Sequence, residues 1–180
     1  MNRRTIDQIL ILLGVVVMLV LLAAGGLAAW GYAFANSQIQ SQLVQEKVYF
    51  PPAGSPALDP AEFPGLQKYA GQQVDSGDKA KAYADQFIWV HMQKVAGGQT
   101  YAQVSTAALA DPTNAKLAAE KATLFQGDML RSSLLTAYAF SRFGVIAQYA
   151  MMVSFVGAGV MFVLILMGLG HLQLSSRRKK

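Results

Sequence analysis

The fold is decided by the stretch Gly144–Leu172, which reads GVIAQYAMMVSFVGAGVMFVLILMGLGHL. It lies within a longer run, from Phe143 to Ser176, that contains no Asp, Glu, Lys or Arg. A charge-free apolar run of about 18 or more residues is typical of a membrane-spanning helix. The sequence therefore predicts a transmembrane helix over residues 143–172, followed by a basic cytoplasmic tail at residues 173–180.

A second apolar run lies near the start of the chain, from Ile9 to Ala35. As a helix it would be about 40 Å long, and residues 9–35 are predicted to form the first transmembrane helix after a cytoplasmic segment at residues 1–8. A signal peptide is the alternative, because Ala33-Phe34-Ala35 matches a cleavage pattern. The apolar region of a signal peptide is usually only about 7–15 residues long, so we expect this span to remain attached.

The distribution of charge predicts an orientation. The formal net charge is +5, yet residues 36–142 carry nine basic and nine acidic side chains and are neutral. The excess comes from Arg3 and Arg4, less Asp7, at one end and from the four basic residues of the tail at the other. Because basic residues beside a span mark the cytoplasmic side, we expect a plasma-membrane protein with both termini cytoplasmic. A nucleic-acid partner is not expected, since the positive charge would then cluster on the folded domain.

Residues 36–142 are predicted to form a helical extracytoplasmic domain. Apolar side chains recur at helical spacing in Gly77–Val95, after a cap at Asp75 or Ser76. The pattern Thr100-x-x-Gln103 has the form of a capping box and predicts a helix over Tyr101–Ala110. No alternating strand pattern is present. The predicted fold class is all-α: an integral membrane protein with two transmembrane helices that extend beyond the bilayer.

Proline and glycine predict where the remaining helices begin and end. Asp59-Pro60 and Asp111-Pro112 each combine a capping residue with a proline. They predict one short helix before Pro64 and another over Thr113–Gln126, closed by Gly127-Asp128. No breaker lies between Met129 and Gly144, and glycine is tolerated within membrane helices, so Met129–Leu174 is predicted to be one helix. The first span is expected to continue until Pro51-Pro52.

No catalytic, cofactor or metal site is predicted. The chain has no Cys, which excludes disulfides, thiolate metal sites and cysteine nucleophiles. His91 is the only histidine of the central insert, whereas a metal site usually needs three or four ligands. We therefore interpret His91 as a packed histidine with one hydrogen-bond partner, and His171 as a residue at the inner membrane interface. The protein is not expected to be an enzyme.

Polar and small residues in the spans favour helix association. Gln148 and Ser154 are the notable polar groups of the second span. Small residues at spacing four allow close helix approach, and they occur at Ala24/Ala28, Gly25/Ala29 and Ala150/Ser154/Ala158. The expected partners are the lipid bilayer and either further copies of the chain or other membrane subunits. The tail Arg177, Arg178, Lys179 and Lys180 is a candidate site for anionic lipid, worth about 1 kcal/mol per basic residue.

These features favour a structural or accessory membrane protein that self-associates or joins a larger complex. Two alternatives stay open. An oligomer could place Gln148 and Ser154 around a conduit and act as a channel or transport component. The external domain could instead bind or sense a lipid or another apolar ligand.

Five short motifs lie in the insert: Glu46-Lys47-Val48-Tyr49-Phe50-Pro51-Pro52, Phe63-Pro64-Gly65-Leu66, Lys68-Tyr69-Ala70, Ala96-Gly97-Gly98 and Thr100-Tyr101. Together they resemble those of uncharacterised two-span membrane proteins of high-GC Gram-positive bacteria. The resemblance implies a bacterial membrane location and topology and brings no site residues. Members sometimes carry the label of aromatic ring-opening dioxygenase. Such an enzyme needs a metal held by histidines and a carboxylate, and the insert has one histidine.

Overall fold

The computed structural model describes residues 3–177 and the side chains of residues 4–174. This part of the chain is helical and contains no β-strands, which confirms the all-α prediction for it. Its α-helices are α1 (Arg3–Glu46), α2 (Gly77–Ala82), α3 (Trp89–Val95), α4 (Tyr101–Ala110) and α5 (Ala115–Arg177). Arg178, Lys179, Lys180 and the Arg177 side chain, on which the anionic-lipid prediction depends, lie outside the described residues.

The contacts divide the chain into two compact units. The paired-helix unit comprises residues 1–34 and 143–180, and the central unit comprises residues 35–142. Helices α1 and α5 contribute to both units. Both are long and apolar enough to cross a membrane: a bilayer core needs about 20 helical residues, and α1 has 44 and α5 has 63.

Both long helices continue past the predicted spans, but α1 ends at Glu46 rather than at Pro51-Pro52. Helix α1 continues beyond Ala35 to Glu46, and Lys47 follows with a φ of 48°. A residue in this left-handed conformation commonly closes a helix. Helix α5 runs through the whole of Met129–Leu174 without a break.

The predicted helix after Asp59 is wrong. The Asp59 carboxylate does accept a hydrogen bond from the Ala61 amide at 2.8 Å, but only a turn follows. A 3₁₀ helix at Pro64–Tyr69 comes next, and another lies at Pro56–Leu58 within the proline-rich connection. Buried anchors hold this segment, because Leu58, Phe63 and Leu66 are at most 3% exposed. Tertiary burial therefore overrides the local capping signal.

The predicted start of the last helix is also wrong. Asn114, rather than Asp111, caps α5, because its Oδ1 accepts a hydrogen bond from the Leu117 amide at 3.2 Å. Asp111 instead follows the end of α4 and accepts hydrogen bonds from the side chains of Thr113 and Asn114. Nor does Gly127 end the helix. A Cβ there would lie 2.7 Å from Met92 Sδ, so this glycine provides room for the methionine.

The two middle helices are predicted more closely. Helix α4 covers the predicted range, and Thr100 and Gln103 form the reciprocal capping box. Ser76 precedes α2 in an extended conformation, as a capping residue should, although its side chain makes no cap hydrogen bond. The interior of Gly77–Val95 differs from the expected α-helix, because Tyr83–Ile88 forms a π-helical segment between α2 and α3.

The core of the central unit gathers side chains from nearly all of its segments. Its fully buried larger members are Phe50, Leu58, Leu66, Val74, Val104 and Leu124. An isolated antiparallel bridge between Tyr49 and Gln73 joins the two ends of the irregular segment. Backbone hydrogen bonds from Phe50 to Gln72 and from Val74 to Val48, both 2.9 Å, flank it. This short pairing fixes the proline-rich connection against the core.

Candidate functional site

In the paired-helix unit, α1 and α5 pack antiparallel with glycines at their closest approaches. A Cβ added to Gly25 would lie 3.0 Å from the ring of Phe155, and one added to Gly14 would lie 3.3 Å from the side chain of Ile165. Further approaches join Ile11 to Gly168, Leu21 to Gly157 and Gly31 to Ala147. The residue numbers of each pair add up to between 178 and 180, so one antiparallel register holds throughout this unit.

The small-residue stripes predicted from the sequence are only partly used by this helix pair. Gly25 is buried and Ala158 is 4% exposed, whereas Ala24 and Ala150 are exposed. A Cβ added to Gly26 would meet no heavy atom within 4 Å. Packing between the two helices of one chain therefore accounts for some of these small residues and leaves others on the outer surface.

A cleft of about 320 Å³ opens at one end of the helix pair. Its walls are mainly apolar: Leu10, Ile11, Gly14, Met161, Leu164, Ile165 and Gly168. Asp7 and His171 also line it, and their residue numbers fit the antiparallel register, which places them opposite each other. Neither side chain makes a hydrogen bond or an ion pair with another side chain in the part of the chain that the structure describes.

In the central unit, two ion pairs join the α2–α3 segment to α5. An Arg131 guanidinium nitrogen lies 2.9 Å from an Asp85 carboxylate oxygen, and one of Arg142 lies 2.7 Å from Asp78. Arg131 also lies over the ring of Trp89, with 5.0 Å to the ring centroid. The two arginines are three helical turns apart, about 16 Å. The segment is therefore fixed along α5 at two separate points.

Asp85 is the most strongly coupled charge of this surface. Its carboxylate lies between Lys81, whose Nζ is 2.5 Å away, and Arg131. The hydrogen bond from Lys81 lowers the pKa of Asp85 and that from Arg131 lowers it further, while partial burial opposes both effects. The same hydrogen bond raises the pKa of Lys81. Burial raises the pKa of the neighbouring Tyr83. The shifts of Asp85 and Lys81 both favour the charged forms of this pair.

Gly77 marks the closest contact between α2 and α5. A Cβ there would lie 2.1 Å from Ser141 Oγ, 2.4 Å from Ser141 Cβ and 3.4 Å from the Tyr138 Cα. These distances leave no room for a side chain. The ion pair between Asp78 and Arg142 lies next to this contact in the sequence, so a glycine and an ion pair together fix the start of α2.

His91 is packed between aromatic rings. Its Nδ1 lies 2.8 Å from the Phe87 carbonyl oxygen. Because that oxygen can only accept, Nδ1 carries the proton of this hydrogen bond. The imidazole also stacks on the Phe63 ring, with 5.6 Å between centroids and 3° between planes. This is the packed histidine with one partner that its place on the apolar stripe predicts.

The two neighbouring carboxylates Asp75 and Asp78 have separate partners. Asp75 pairs with Lys79 at 3.0 Å, and Asp78 pairs with Arg142. Within residues 4–174, no three or more His, Asp and Glu side chains are grouped so that they could hold a metal ion.

Comparison with protein families, with curated proteins and with solved structures finds no match to this chain. The interpretation of its surfaces therefore depends on their own chemistry.

Sequence reasoning did not find the pairing of Arg131 with Asp85, nor the placement of Asp7 beside His171. A spacing pattern could have found the second. Ile11, Gly14, Leu21 and Gly25 recur at intervals of three, seven and four residues along α1, as expected of a helix face that contacts one partner. Matching this face to α5 in an antiparallel hairpin sets the register that brings residues 7 and 171 together.

Proposed function

We propose that this chain is a structural or accessory integral membrane protein of the bacterial plasma membrane. In this proposal α1 and α5 cross the bilayer as an antiparallel pair. The protein self-associates or joins a larger membrane complex through these helices and through the central unit.

The outward faces of the helix pair carry this proposal. Only 11% of the most apolar window of each helix is buried. Large side chains such as Leu27, Val153 and Val156 are between 68% and 72% exposed. Contiguous apolar surface of this extent is rare on water-soluble proteins, whereas lipid tails are as apolar as leucine. A bilayer is therefore the environment that suits these faces.

The orientation is proposed from charge and register together. The antiparallel register brings the start of α1 and the end of α5 to the same end of the paired-helix unit. Arg3 and Arg4 near the N-terminus and the four basic residues at the C-terminus favour a cytoplasmic position for this end of the helix pair. The neutral central unit is then extracytoplasmic.

Association of the central unit is supported by apolar side chains on its surface. Leu109 is 72% exposed, Met129 53%, Phe140 50% and Phe125 48%. In a domain that faces water, such side chains favour contact with another protein. A second copy of the chain, or another subunit of the same membrane, would cover them.

Two measurements test the proposal with the full chain. Carbonate washing of membranes should leave the protein in the pellet, and only detergent should release it. Native mass spectrometry in a mild detergent should then give a mass above the 19.4 kDa of one chain, from further copies or from a co-purifying subunit. Release by carbonate would contradict the membrane proposal, and an isolated monomer without a partner would contradict the association.

A matched pair of variants locates the association surface. Leu109→Gln removes the single leucine of α4, and we expect it to lower the oligomeric or complexed fraction. Ala102→Gln adds the same side chain at another exposed position of the same helix and should leave that fraction unchanged. Equal behaviour of the two variants would show that Leu109 takes no part in the contact.

A further inference from the structure

One exposed face of α5 in the central unit carries no charge. Its residues follow one another at alternating spacings of four and three, and all of them are exposed: Ala118, Ala122, Phe125, Met129, Ser132, Thr136 and Ala139. This set is called the α5 stripe below. We propose that the α5 stripe packs against the same stripe of a second copy of the chain, as a parallel coiled coil. The inference deepens the self-association proposed above and rests on it.

The spacing of the α5 stripe is that of a coiled coil. Residues that recur every 3.5 positions on average keep one face toward a partner helix when two helices supercoil. With Met129 at heptad position a, Ser132 lies at position d. From residue 118 to residue 139 the helix is about 33 Å long, and the stripe covers about three heptads. Leu124 and Leu134 point to the other side of α5 and fill the core of the central unit, so the fold itself leaves the stripe uncovered.

A groove along the α5 stripe matches the holes of a coiled coil. Its volume is about 520 Å³, and its lining residues all belong to α5: Asp128, Met129, Arg131, Ser132, Leu135, Thr136 and Ala139. In a coiled coil, a side chain at position a or d of one helix enters a hole formed by four residues of the other helix. The hole for Thr136 of a second copy is formed by Ser132, Leu135, Thr136 and Ala139. All four of these residues line the groove.

The residues beside the α5 stripe identify the occupant as a second copy. Both copies enter the bilayer in the same orientation, so their α5 helices run parallel. Position g of one helix then faces position e of the other, about five residues further along. Three kinds of pair result: Lys121 with Gln126, Asp128 with Ser133, and Leu135 with Phe140. An ammonium can donate to an amide oxygen, and a hydroxyl can donate to a carboxyl oxygen, while the third pair is apolar.

The polar side chains of these pairs have no partner of their own within the chain. Among residues 4–174, no side-chain hydrogen bond or ion pair is made by Lys121, Gln126, Asp128 or Ser133. A second copy would provide a partner for each of them. Because the two chains are identical, every pair forms twice across the contact.

The α5 stripe also suits contact with itself. In a parallel pair each of its residues faces its own copy, and a charged residue would then be repelled. The stripe has no charge, although Lys116, Glu120 and Lys121 lie in the first two turns of the same helix. The Thr136 hydroxyl donates to the Ser132 carbonyl oxygen at 2.9 Å, and its oxygen can still accept. A hydroxyl both donates and accepts, so the serine and threonine hydroxyls of two copies can bond to one another.

Disulfide crosslinking of the full chain in native membranes tests the contact. The chain has no Cys, so Ser132→Cys provides a single thiol on the α5 stripe. Mild oxidation should then give a disulfide-linked dimer of twice the 19.4 kDa of one chain. Thr123→Cys is the control, because position 123 is exposed on the same helix but lies outside the stripe. We expect a dimer with the first variant and no dimer above the wild-type background with the second.

Opposite charges at position 132 test whether the stripe faces its own copy. Ser132→Asp should lower the dimeric fraction in native mass spectrometry at least about tenfold, because like charges in contact cost several kcal/mol. Ser132→Lys should have the same effect. Coexpression of the two variants should restore pairing between unlike chains, since a carboxylate then faces an ammonium. Thr123→Asp should leave the dimeric fraction unchanged.

The outcomes separate this inference from the proposed association. An oligomeric or complexed mass without a disulfide at position 132 overturns the stripe contact, while association through another surface stands. Equal disulfide yields at positions 132 and 123, or no restored pairing of the two charged variants, also overturn the parallel contact. Isolated monomers without any co-purifying subunit overturn both proposals.

Discussion

Replacement of Gly77 by alanine tests the packing of α2 on α5. The added methyl carbon would lie 2.1 Å from Ser141 Oγ and 2.4 Å from Ser141 Cβ. The hydroxyl can rotate away, but the Cβ is attached to the backbone of α5 and cannot. The start of α2 must therefore move outward by about 1 Å to restore an ordinary contact distance between the two Cβ atoms. Overpacking of this kind costs about 1–3 kcal/mol, while alanine gains at most about 1 kcal/mol over glycine from helix propensity. We expect a net loss of about 1–2 kcal/mol in the free energy of unfolding of the central unit.

A second substitution makes this prediction specific to the contact. Ser141→Gly removes both clashing atoms and leaves the Tyr138 Cα at 3.4 Å, an ordinary contact distance. The double variant should therefore lose less stability than the sum of the two single variants, by at least about 1 kcal/mol, as expected for residues that touch.

The assay is urea unfolding of the full chain in detergent, followed by the fluorescence of Trp89. Trp30 is the other tryptophan of the chain, so a Trp30→Phe background assigns the signal to the central unit. Gly77→Ala as stable as the wild type, or a double variant with strictly additive losses, would refute the reasoning.

Three further predictions concern charge, capping and helix pairing. Because the pKa of Asp85 is lowered, its ionised form stabilises the fold above the unfolded pKa of about 3.9, and this stabilisation is lost as the pH falls through the lower folded value. The contribution is about 0.5–1 kcal/mol for a largely exposed pair and should be absent in Asp85→Asn. Urea midpoints of both proteins at pH 7 and pH 3 measure it, and an equal pH dependence would contradict it. Thr100→Ala removes the cap of α4 and should cost about 1 kcal/mol, which would appear as faster hydrogen exchange in the first turn of α4. Thr106→Ala, in the same helix, should leave the exchange of that turn unchanged. Equal exchange in the two variants would show that the cap contributes nothing. Gly25→Ile should destabilise the helix pair by about 1–3 kcal/mol in an SDS titration, because the Phe155 ring occupies the space beside Gly25. Gly26→Ile should change the stability by no more than about 0.5 kcal/mol. A larger loss of stability in Gly26→Ile than in Gly25→Ile would mean that the other face of α1 meets α5.

The sequence predicts the long helices well because their signals are strong and local. A charge-free apolar run and a reciprocal capping box each depend on residues within one helix, as in Gly144–Leu172 and at Thr100. The capping signals at Asp59 and Asp111 mislead because the same side-chain hydrogen bonds also stabilise turns. Whether a turn or a helix follows was decided by buried side chains such as Phe63, which local patterns do not reveal.

The middle of the chain could not be predicted for a related reason. The π-helical segment at Tyr83–Ile88 and the unbroken helix at Gly127 both depend on neighbours from distant segments. Gly127 looks like a helix end in the sequence, but its missing side chain leaves room for the Met92 side chain to pack against α5. Single-sequence patterns carry no information about such contacts.

The candidate surfaces needed the three-dimensional register. Asp7 and His171 stand at opposite ends of the sequence, and His171 alone has an ordinary interpretation as an interfacial residue. Only the glycine contacts that align α1 with α5 place them beside one cleft. The pairing of Arg131 with Asp85 could not be predicted either. The insert has equal numbers of basic and acidic residues, and their sequence does not show which of them form ion pairs.

Site-directed labelling of single cysteines tests the central claim, a two-span hairpin with both termini cytoplasmic, most directly. The chain contains no Cys, so Ala102→Cys, at an exposed position of α4, and Ser176→Cys each provide one thiol. In intact cells, a membrane-impermeant maleimide should label position 102 from outside and should reach position 176 only after the membrane is permeabilised. Labelling of position 176 in intact cells, or protection of position 102, would contradict the account.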